Sequence, residues 1–200
     1  MRKALERHEG TAVLERCSTL AAVGQALLAG EHDVASQLLG DHYPFVRAAA
    51  IERKYTALES TRVFVRDGFI DRYSGARLIY PPALRLISDA LPAEFPYHLH
   101  WKTDRTHPAY YELAATIDHL IPVTRGGPDD EPNWVTTSMA RNSAKMNWSL
   151  DELGWTLHPA GRFEDWDGML GWFVDYVAAK PELRSQAWVR QWSTAAAGAL

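Results

Sequence analysis

Cysteine is almost absent from this chain of 200 residues, which contains only one, Cys17. A single cysteine excludes an internal disulfide and any zinc site built from cysteine thiolates. Cys17 recurs at helical spacing with Leu14, Ala21, Gly24 and Leu28. This periodicity predicts one buried helix face, and it favours a buried core thiol over a reactive one.

Long apolar runs are also missing. The longest charge-free run, residues 17–30, is too short and too interrupted to span a bilayer. Glu6 and Glu9 follow the first basic residues at once, which leaves no room for the apolar core of a secretory signal peptide. We therefore expect a cytoplasmic protein without a membrane partner.

The chain also lacks an excess of positive charge. The net charge is −4 and the isoelectric point is near 6.1. This balance argues against a protein that coats nucleic acid non-specifically, although it allows a local basic cleft. A hydrophobic content of 46% and an aromatic content of 11% predict an ordinary packed core.

The apolar patterns predict an α+β fold that is mostly helical. Residues 1–60 form an N-terminal helical region, with helix ends at Gly30 and Gly40 and a third helix opening at Pro44. This region carries no recognisable chemistry, so we expect it to pack or to bind a protein partner or a second copy of the chain. Two C-terminal helices within residues 166–200 are predicted to pack on the middle of the chain.

The middle of the chain combines both kinds of element. Residues 63–65 predict a short β-type segment, and Pro81 opens a predicted helix. A long ordered loop is expected over residues 92–108. Ser149 and Glu152 match a capping box, which predicts a further short helix that ends near Gly154.

Residues 114–146 predict a strand, a loop, a second strand and a helix. The first strand ends at His119, a polar loop follows, and residues 133–135 begin the second strand. Thr136 or Thr137 is predicted to cap the helix, which would run to about Met146. Chemistry-bearing side chains are concentrated in this segment.

Asp118 and His119 supply two groups that phosphodiester cleavage needs. An imidazole is suited to take a proton from water, and a carboxylate is a hard ligand for Mg²⁺. Neighbouring side chains on a strand point to opposite sides. The two groups would share one site only if the chain leaves regular strand geometry around His119 and Leu120, and Pro122 favours such a departure.

Several short stretches together resemble the ββα-metal core of HNH endonucleases. They are residues 117–123, the pair Gly126 and Gly127, residues 133–135 and residues 141–145. Asn133 follows His119 by fourteen residues, and Asn142 follows Asn133 by nine. The HNH domain of CRISPR effector nucleases is similar in having an Asp-His pair and a final Asn. Residues 116–148 carry this resemblance, and residues 69–75 and 152–155 resemble flanks of bacterial HNH proteins.

The resemblance implies a role for each of four residues. His119 would be the general base that activates water. Asp118 and Asn142 would hold one divalent ion, Mg²⁺ or Mn²⁺. Asn133 would brace the loop by bonding backbone groups near His119, and so orient the imidazole.

Substrate contacts are implied further along the same helix. Lys145 and, less directly, Arg141 would contact phosphate. His107, which precedes Pro108, is a further candidate for touching the substrate, against the simpler interpretation of a solvated loop histidine. The acidic residues 129–131 have two interpretations, a second metal site or a solvated loop tip, and the second is favoured.

One departure from the family concerns zinc. Many HNH proteins carry two Cys-x-x-Cys pairs that bind a structural zinc, but residues 73–75 and 138–141 contain no cysteine. We expect no structural zinc here, with packing by Tyr73, Trp134 and Trp148 in its place.

The resemblance therefore implies an HNH nuclease domain in residues 61–165, with its core at 114–148, that hydrolyses nucleic acid. DNA is favoured as the substrate. Two alternatives stay open. One is a catalytically silent HNH-fold module that binds nucleic acid or protein, and the other is a ribonuclease or toxin-type nuclease.

Overall fold

The structure is a computed structural model that describes the backbone at residues 2–45 and 55–200, and the side chains at residues 15–45 and 55–200. The chain divides into two compact units, Met1–Ala50 and Ile51–Leu200. No helix in the described residues is both long enough and apolar enough to cross a membrane.

The N-terminal unit contains two helices, α1 (Arg2–Leu28) and α2 (His32–His42). They pack through Val23, Ala26 and Ala35, close to the end of α1. Cys17 is exposed, so the prediction of a buried thiol is wrong. The described part of α1 is buried only where α2 folds back on it. The helix predicted to open at Pro44 falls largely outside the described residues.

The C-terminal unit is an α+β structure with more helix than strand. Its helices are α3 (Ala57–Arg66), α4 (Pro81–Ala90), α5 (Ala109–Glu112), α6 (Met139–Lys145), α7 (Leu150–Leu153), α8 (Leu170–Ala179) and α9 (Ala187–Ala199). Its strands are β1 (Ala115–His119) and β2 (Trp134–Ser138), which pair antiparallel. Helices α4 and α7 begin where the sequence predicts.

Helix α3 corrects the prediction of a β-type segment at residues 63–65. Thr56 and Glu59 form a capping box at its start, and this local signal outweighs the β preference of the valines. Val63 and Phe64 are buried in the main core, where α3 packs on α9 and on both strands. Helix α3 crosses residue 60 and belongs to the C-terminal unit.

The β1–β2 hairpin is regular to its end. Asp118 pairs with Val135 and His119 with Trp134, so the predicted departure from strand geometry at His119 is wrong. Helix α6 is capped by Ser138, not by Thr136 or Thr137. Those two threonines instead extend β2 and are fully buried.

Helices α8 and α9 close the core of the C-terminal unit, near the positions predicted for two C-terminal helices. Phe173 lies edge-on to Tyr80, with ring centroids 5.4 Å apart, and both are fully buried. The Tyr80 hydroxyl donates a hydrogen bond to the carbonyl oxygen of Trp192 at 3.2 Å. These contacts join the start of α4 to α8 and α9.

A buried carboxylate joins the two segments where the HNH resemblance would place zinc-binding cysteines. Asp71 accepts hydrogen bonds from the Tyr73 backbone N–H at 2.9 Å, the Thr137 hydroxyl at 3.0 Å and the Ser138 N–H at 3.0 Å. Tyr73 and Trp134 are buried as expected, but Trp148 is 44% exposed. The cross-link is therefore more polar than the aromatic packing we predicted.

Candidate active site

Helix α6 reaches strand β1 through two side chains, one turn apart. Asn142 donates from Nδ2 to the carbonyl oxygen of Ile117 at 3.0 Å. Lys145 donates from Nζ to the carbonyl oxygen of His119 at 2.7 Å, and the same Nζ lies 3.0 Å from Oδ2 of Asp118. These contacts place Asn142 and Asp118 on the same side of the hairpin.

Lys145 is buried in this structure, whereas the resemblance implies that it contacts phosphate. Its side chain is 0% exposed, and its ammonium group is held by Asp118 and by the backbone of β1. A phosphate in solvent does not reach it in this packing. We therefore assign Lys145 a structural role in aligning the end of β1.

Asp118 is also held by Tyr73, whose hydroxyl donates to Oδ2 at 2.8 Å. Burial, followed by the charge of Asp118, raises the pKa of the Tyr73 hydroxyl far above its ordinary value. The hydroxyl therefore stays protonated and remains a donor. Among the described residues, Tyr73 and Lys145 both contact the Asp118 carboxylate at the same oxygen, Oδ2.

The imidazole of His119 lies on the opposite side of the hairpin from Asp118, as strand alternation requires. Its Nε2 atom is 2.8 Å from Oδ1 of Asp129 and 3.2 Å from Nε1 of Trp134. The Tyr55 hydroxyl lies 3.3 Å from Nδ1 and 3.5 Å from Nε2. The His119 side chain is 1% exposed, so these three residues cover it.

Asn133 ties together both ends of the loop between the strands. Its Oδ1 accepts from the Ile121 N–H at 2.9 Å. Its Nδ2 donates to the carbonyl oxygens of Ile121 at 2.9 Å and Pro128 at 2.8 Å. The structure thus contains the loop-bracing contacts that the resemblance implies, whereas the orientation of the imidazole by Asn133 stays a prediction.

The two glycines of the loop have different functions. Gly126 has φ +87° and ends a short 3₁₀ turn, with open space around it. Gly127 is instead a point of close approach, because a Cβ added there would lie 2.0 Å from the carbonyl oxygen of Ile121. Of the two, only Gly126 adopts a positive φ, which glycine allows without steric cost.

Arg141 and His107 lie apart from these contacts. Arg141 is exposed, and its guanidinium is 5.3 Å from the ring centroid of Trp155. His107 stacks on Phe95 with ring centroids 4.2 Å apart, and its Nδ1 accepts from the Ala109 N–H. Within the described part of the chain, neither side chain forms a hydrogen bond or ion pair with Asp118 or His119.

Asp118 and Asn142 suit a hard divalent ion by the type of atom they offer. Tyr73 and Lys145 contact Oδ2 of Asp118, and Nδ2 of Asn142 donates to the carbonyl oxygen of Ile117. Among the described residues, Oδ1 of Asp118 and Oδ1 of Asn142 therefore accept no hydrogen bond. Metal-binding carboxylates are ordinarily oriented by such outer hydrogen bonds. The described side chains include no cluster of three His, Cys, Asp or Glu residues suited to a metal, but a carboxylate–amide pair would not form one.

Three residues around this site were not identified from the sequence: Tyr55, Tyr73 and Asp129. Asp129 was interpreted within an acidic loop tip, yet it bonds the imidazole and the indole across the loop. The only available signal was its position in the loop that leads from His119 to Asn133. No protein-family model matches this chain, and no curated protein or solved structure shows detectable similarity to it.

Proposed function

We propose that this protein is a metal-dependent endonuclease of the HNH type, which hydrolyses phosphodiester bonds of DNA. One observation carries the proposal: a two-stranded hairpin followed by a helix brings Asn142 of α6 against the strand that ends in Asp118 and His119. This order of elements and side chains is the one that the HNH resemblance implies. The proposal includes a ββα-metal core within residues 114–148.

In the proposed reaction, Asp118 and Asn142 hold the ion and His119 accepts a proton from the attacking water. Asp118 and His119 lie on opposite sides of the hairpin in this structure, so the proposal includes a rearrangement of the end of β1 that brings the two side chains to one site. A bound Mg²⁺ or Mn²⁺ would supply positive charge against the phosphorane and the leaving 3′ oxygen. Asn133 keeps the loop folded beside the imidazole. Arg141, which is exposed, is the remaining candidate for a phosphate contact.

The packing around His119 restricts the access of water to the imidazole. A general base must come within hydrogen-bonding distance of its water. The imidazole is 1% exposed, and the Tyr55 hydroxyl lies 3.3 Å from Nδ1 and 3.5 Å from Nε2 of the ring. The proposal therefore includes a displacement of Tyr55 when nucleic acid binds, which gives water its place at the ring.

The test uses the full chain with supercoiled plasmid DNA, in the presence of Mg²⁺ or Mn²⁺ or with EDTA. We expect metal-dependent nicking that leaves 5′-phosphate and 3′-hydroxyl ends, and its loss in His119→Ala. His100→Ala is the matched control, because His100 is exposed in the loop of residues 92–108. Undiminished cleavage by His119→Ala would remove the base assignment. RNA and single-stranded DNA in parallel reactions distinguish a ribonuclease or toxin-type activity.

A second candidate function is a catalytically silent HNH-fold binding module. The covered imidazole and the Asp118–Lys145 pair favour it, since both catalytic groups are engaged with the protein itself. The N-terminal unit also exposes large apolar side chains that suit a protein partner or self-association: Leu20, Leu27, Leu28, Val34, Leu39, Tyr43 and Phe45. Nucleic-acid or partner binding without cleavage under any of the metal conditions would support this candidate.

A further inference from the structure

Asp129 is the acidic side chain nearest to the proposed general base among the described residues. Its Oδ1 lies 2.8 Å from Nε2 of His119 and 3.0 Å from Nε1 of Trp134. The Asp129 side chain is 33% exposed, while that of His119 is 1% exposed. A half-exposed carboxylate thus covers one nitrogen of a buried imidazole.

The chemistry of the three groups decides where the protons lie. An indole N–H is only a donor, and an ionised carboxylate is only an acceptor. If Nε2 accepted from Trp134, its lone pair would face the carboxylate oxygen at 2.8 Å, and two acceptors would repel each other. The consistent arrangement has Oδ1 accepting from both the Trp134 N–H and the His119 Nε2–H.

The second nitrogen of the ring follows from the first. A neutral imidazole carries one N–H, so a proton on Nε2 leaves the lone pair on Nδ1. The Tyr55 hydroxyl lies at nearly equal distances from the two ring nitrogens, 3.3 Å from Nδ1 and 3.5 Å from Nε2, so it does not decide between them. With the proton on Nε2, Nδ1 is the nitrogen able to accept a proton from water.

We propose that Asp129 is a positioning residue that holds the His119 proton on Nε2 and so leaves Nδ1 as the atom that accepts the proton from water. The role of Nδ1 in cleavage rests on the proposed nuclease function, whereas the position of the proton does not. Asp129 acts through the imidazole and contacts neither water nor phosphate in this role.

Asn133 gives this arrangement its rigidity. Its Nδ2 holds the carbonyl oxygen of Pro128, the residue directly before Asp129, and also that of Ile121. Trp134 pairs with His119 across the hairpin, so its indole approaches the same carboxylate from the neighbouring strand. The loop-bracing residue thus orients the imidazole by placing Asp129.

The test measures the tautomer directly in metal-free protein labelled with ¹⁵N at histidine. Long-range ¹H–¹⁵N spectra identify the protonated ring nitrogen, and the loss of signals in His119→Ala assigns the residue. For the wild type at a pH where the ring is neutral, we expect a proton on Nε2. Asp129→Asn should keep this tautomer, because its amide oxygen still accepts, and Asp129→Ala should give a mixture of the two tautomers.

Cleavage kinetics are the second readout. Loss of a group that orients a catalytic ligand or base lowers activity by about 10- to 100-fold, so Asp129→Ala should lower kcat by that factor with little change in KM. Asp129→Asn should recover most of the loss. Glu131→Ala removes an equal charge from an exposed position in the same loop and should change neither the tautomer nor kcat.

Each result decides a separate point. A wild-type proton on Nδ1 overturns the inference without any variant, and so does an unchanged tautomer in folded Asp129→Ala. If Asp129→Asn gives the same mixture of tautomers as Asp129→Ala, the inference is also overturned. If the tautomers behave as expected but no metal condition gives cleavage, the nuclease function fails and the positioning stands.

Discussion

Lys145 and Asp118 form a buried ion pair, with Nζ 3.0 Å from Oδ2. The pair joins the last turn of α6 to the end of β1, one residue before the proposed base. A buried charge is tolerated when its partner and its remaining hydrogen bonds are in place, and here the Tyr73 hydroxyl and the His119 carbonyl oxygen complete the set. We infer that this pair sets the orientation of the carboxylate that the proposed metal would need.

Replacing Lys145 by Met should destabilise the protein because it leaves the Asp118 carboxylate buried without its counter-charge. Removing one partner of a buried pair costs about 3–5 kcal/mol. Urea unfolding of Lys145→Met measures this loss, and Lys102→Met, at an exposed position, is the control. The double variant Asp118→Asn/Lys145→Met should be more stable than Lys145→Met alone. Strictly additive effects of the two changes would show that the pair is not coupled.

Replacing Asp71 by Ala should loosen the junction between residues 71–73 and the start of α6. Two backbone N–H groups and one buried hydroxyl lose their acceptor, and a loss of about 3–4 kcal/mol follows from hydrogen bonds to a charged group. The exposed Asp151→Ala provides the comparison in the same unfolding assay. If Asp71→Ala unfolds at the same urea concentration as Asp151→Ala, the carboxylate is not the cross-link we describe.

Local signals with a defined mechanism made parts of this fold predictable. The proline at the start of α4, the capping box of α7 and the apolar run of β1 each specify an element through nearby residues. Helix α3 was missed because its β-branched residues outweighed a capping box that was not recognised. For short apolar runs, periodicity alone does not separate a strand from a helix.

In the candidate site, too, some residues could be identified from the sequence, whereas other contacts depend on the folded structure. The resemblance to HNH endonucleases was enough to identify Asp118, His119, Asn133 and Asn142 as candidates, and all four lie on or beside one hairpin and its helix. The burial of Lys145 and the hydrogen bond between His119 and Asp129 depend on the orientation of the helix and loop side chains in the folded protein. Charged residues are ordinarily exposed, so the sequence did not lead us to expect a buried Lys145 or a contact between Asp129 and His119.

Gly127→Ala should disrupt the loop, whereas Gly126→Ala should have a modest effect. A Cβ at position 127 would meet the Ile121 carbonyl oxygen at 2.0 Å and the Asn133 amide nitrogen at 3.0 Å, so the loop must move. At position 126 there is open space, and the positive φ costs about 1 kcal/mol for a residue with a side chain. The midpoint temperature of thermal unfolding and the rate of metal-dependent cleavage should both fall further in Gly127→Ala than in Gly126→Ala. Equal losses in the two variants would contradict the close approach at Gly127.

The Glu152 carboxylate makes the stability of the folded protein depend on pH in the acidic range. The hydrogen bond from Arg125, followed by that from the Ser149 backbone, lowers the pKa of the Glu152 carboxyl to about 2. A carboxyl whose folded pKa is depressed stabilises the folded state above its unfolded pKa, near 4.3, and loses that contribution as the pH falls towards the folded value. Because the pair is partly exposed, solvent screening limits the contribution to about 1 kcal/mol.

The test compares Glu152→Gln with the wild type by urea unfolding between pH 7 and pH 2.5. Glutamine keeps an acceptor for the Ser149 N–H, so the capping bond survives and only the charge is removed. The stability difference should be constant above about pH 5 and should shrink below about pH 4, since protonation of Glu152 in the unfolded chain then removes the advantage. Glu164→Gln, at a position 73% exposed in its side chain, should show a smaller difference over the same range. A difference that stays constant down to pH 2.5 would mean that the Arg125–Glu152 charge pair does not stabilise the fold.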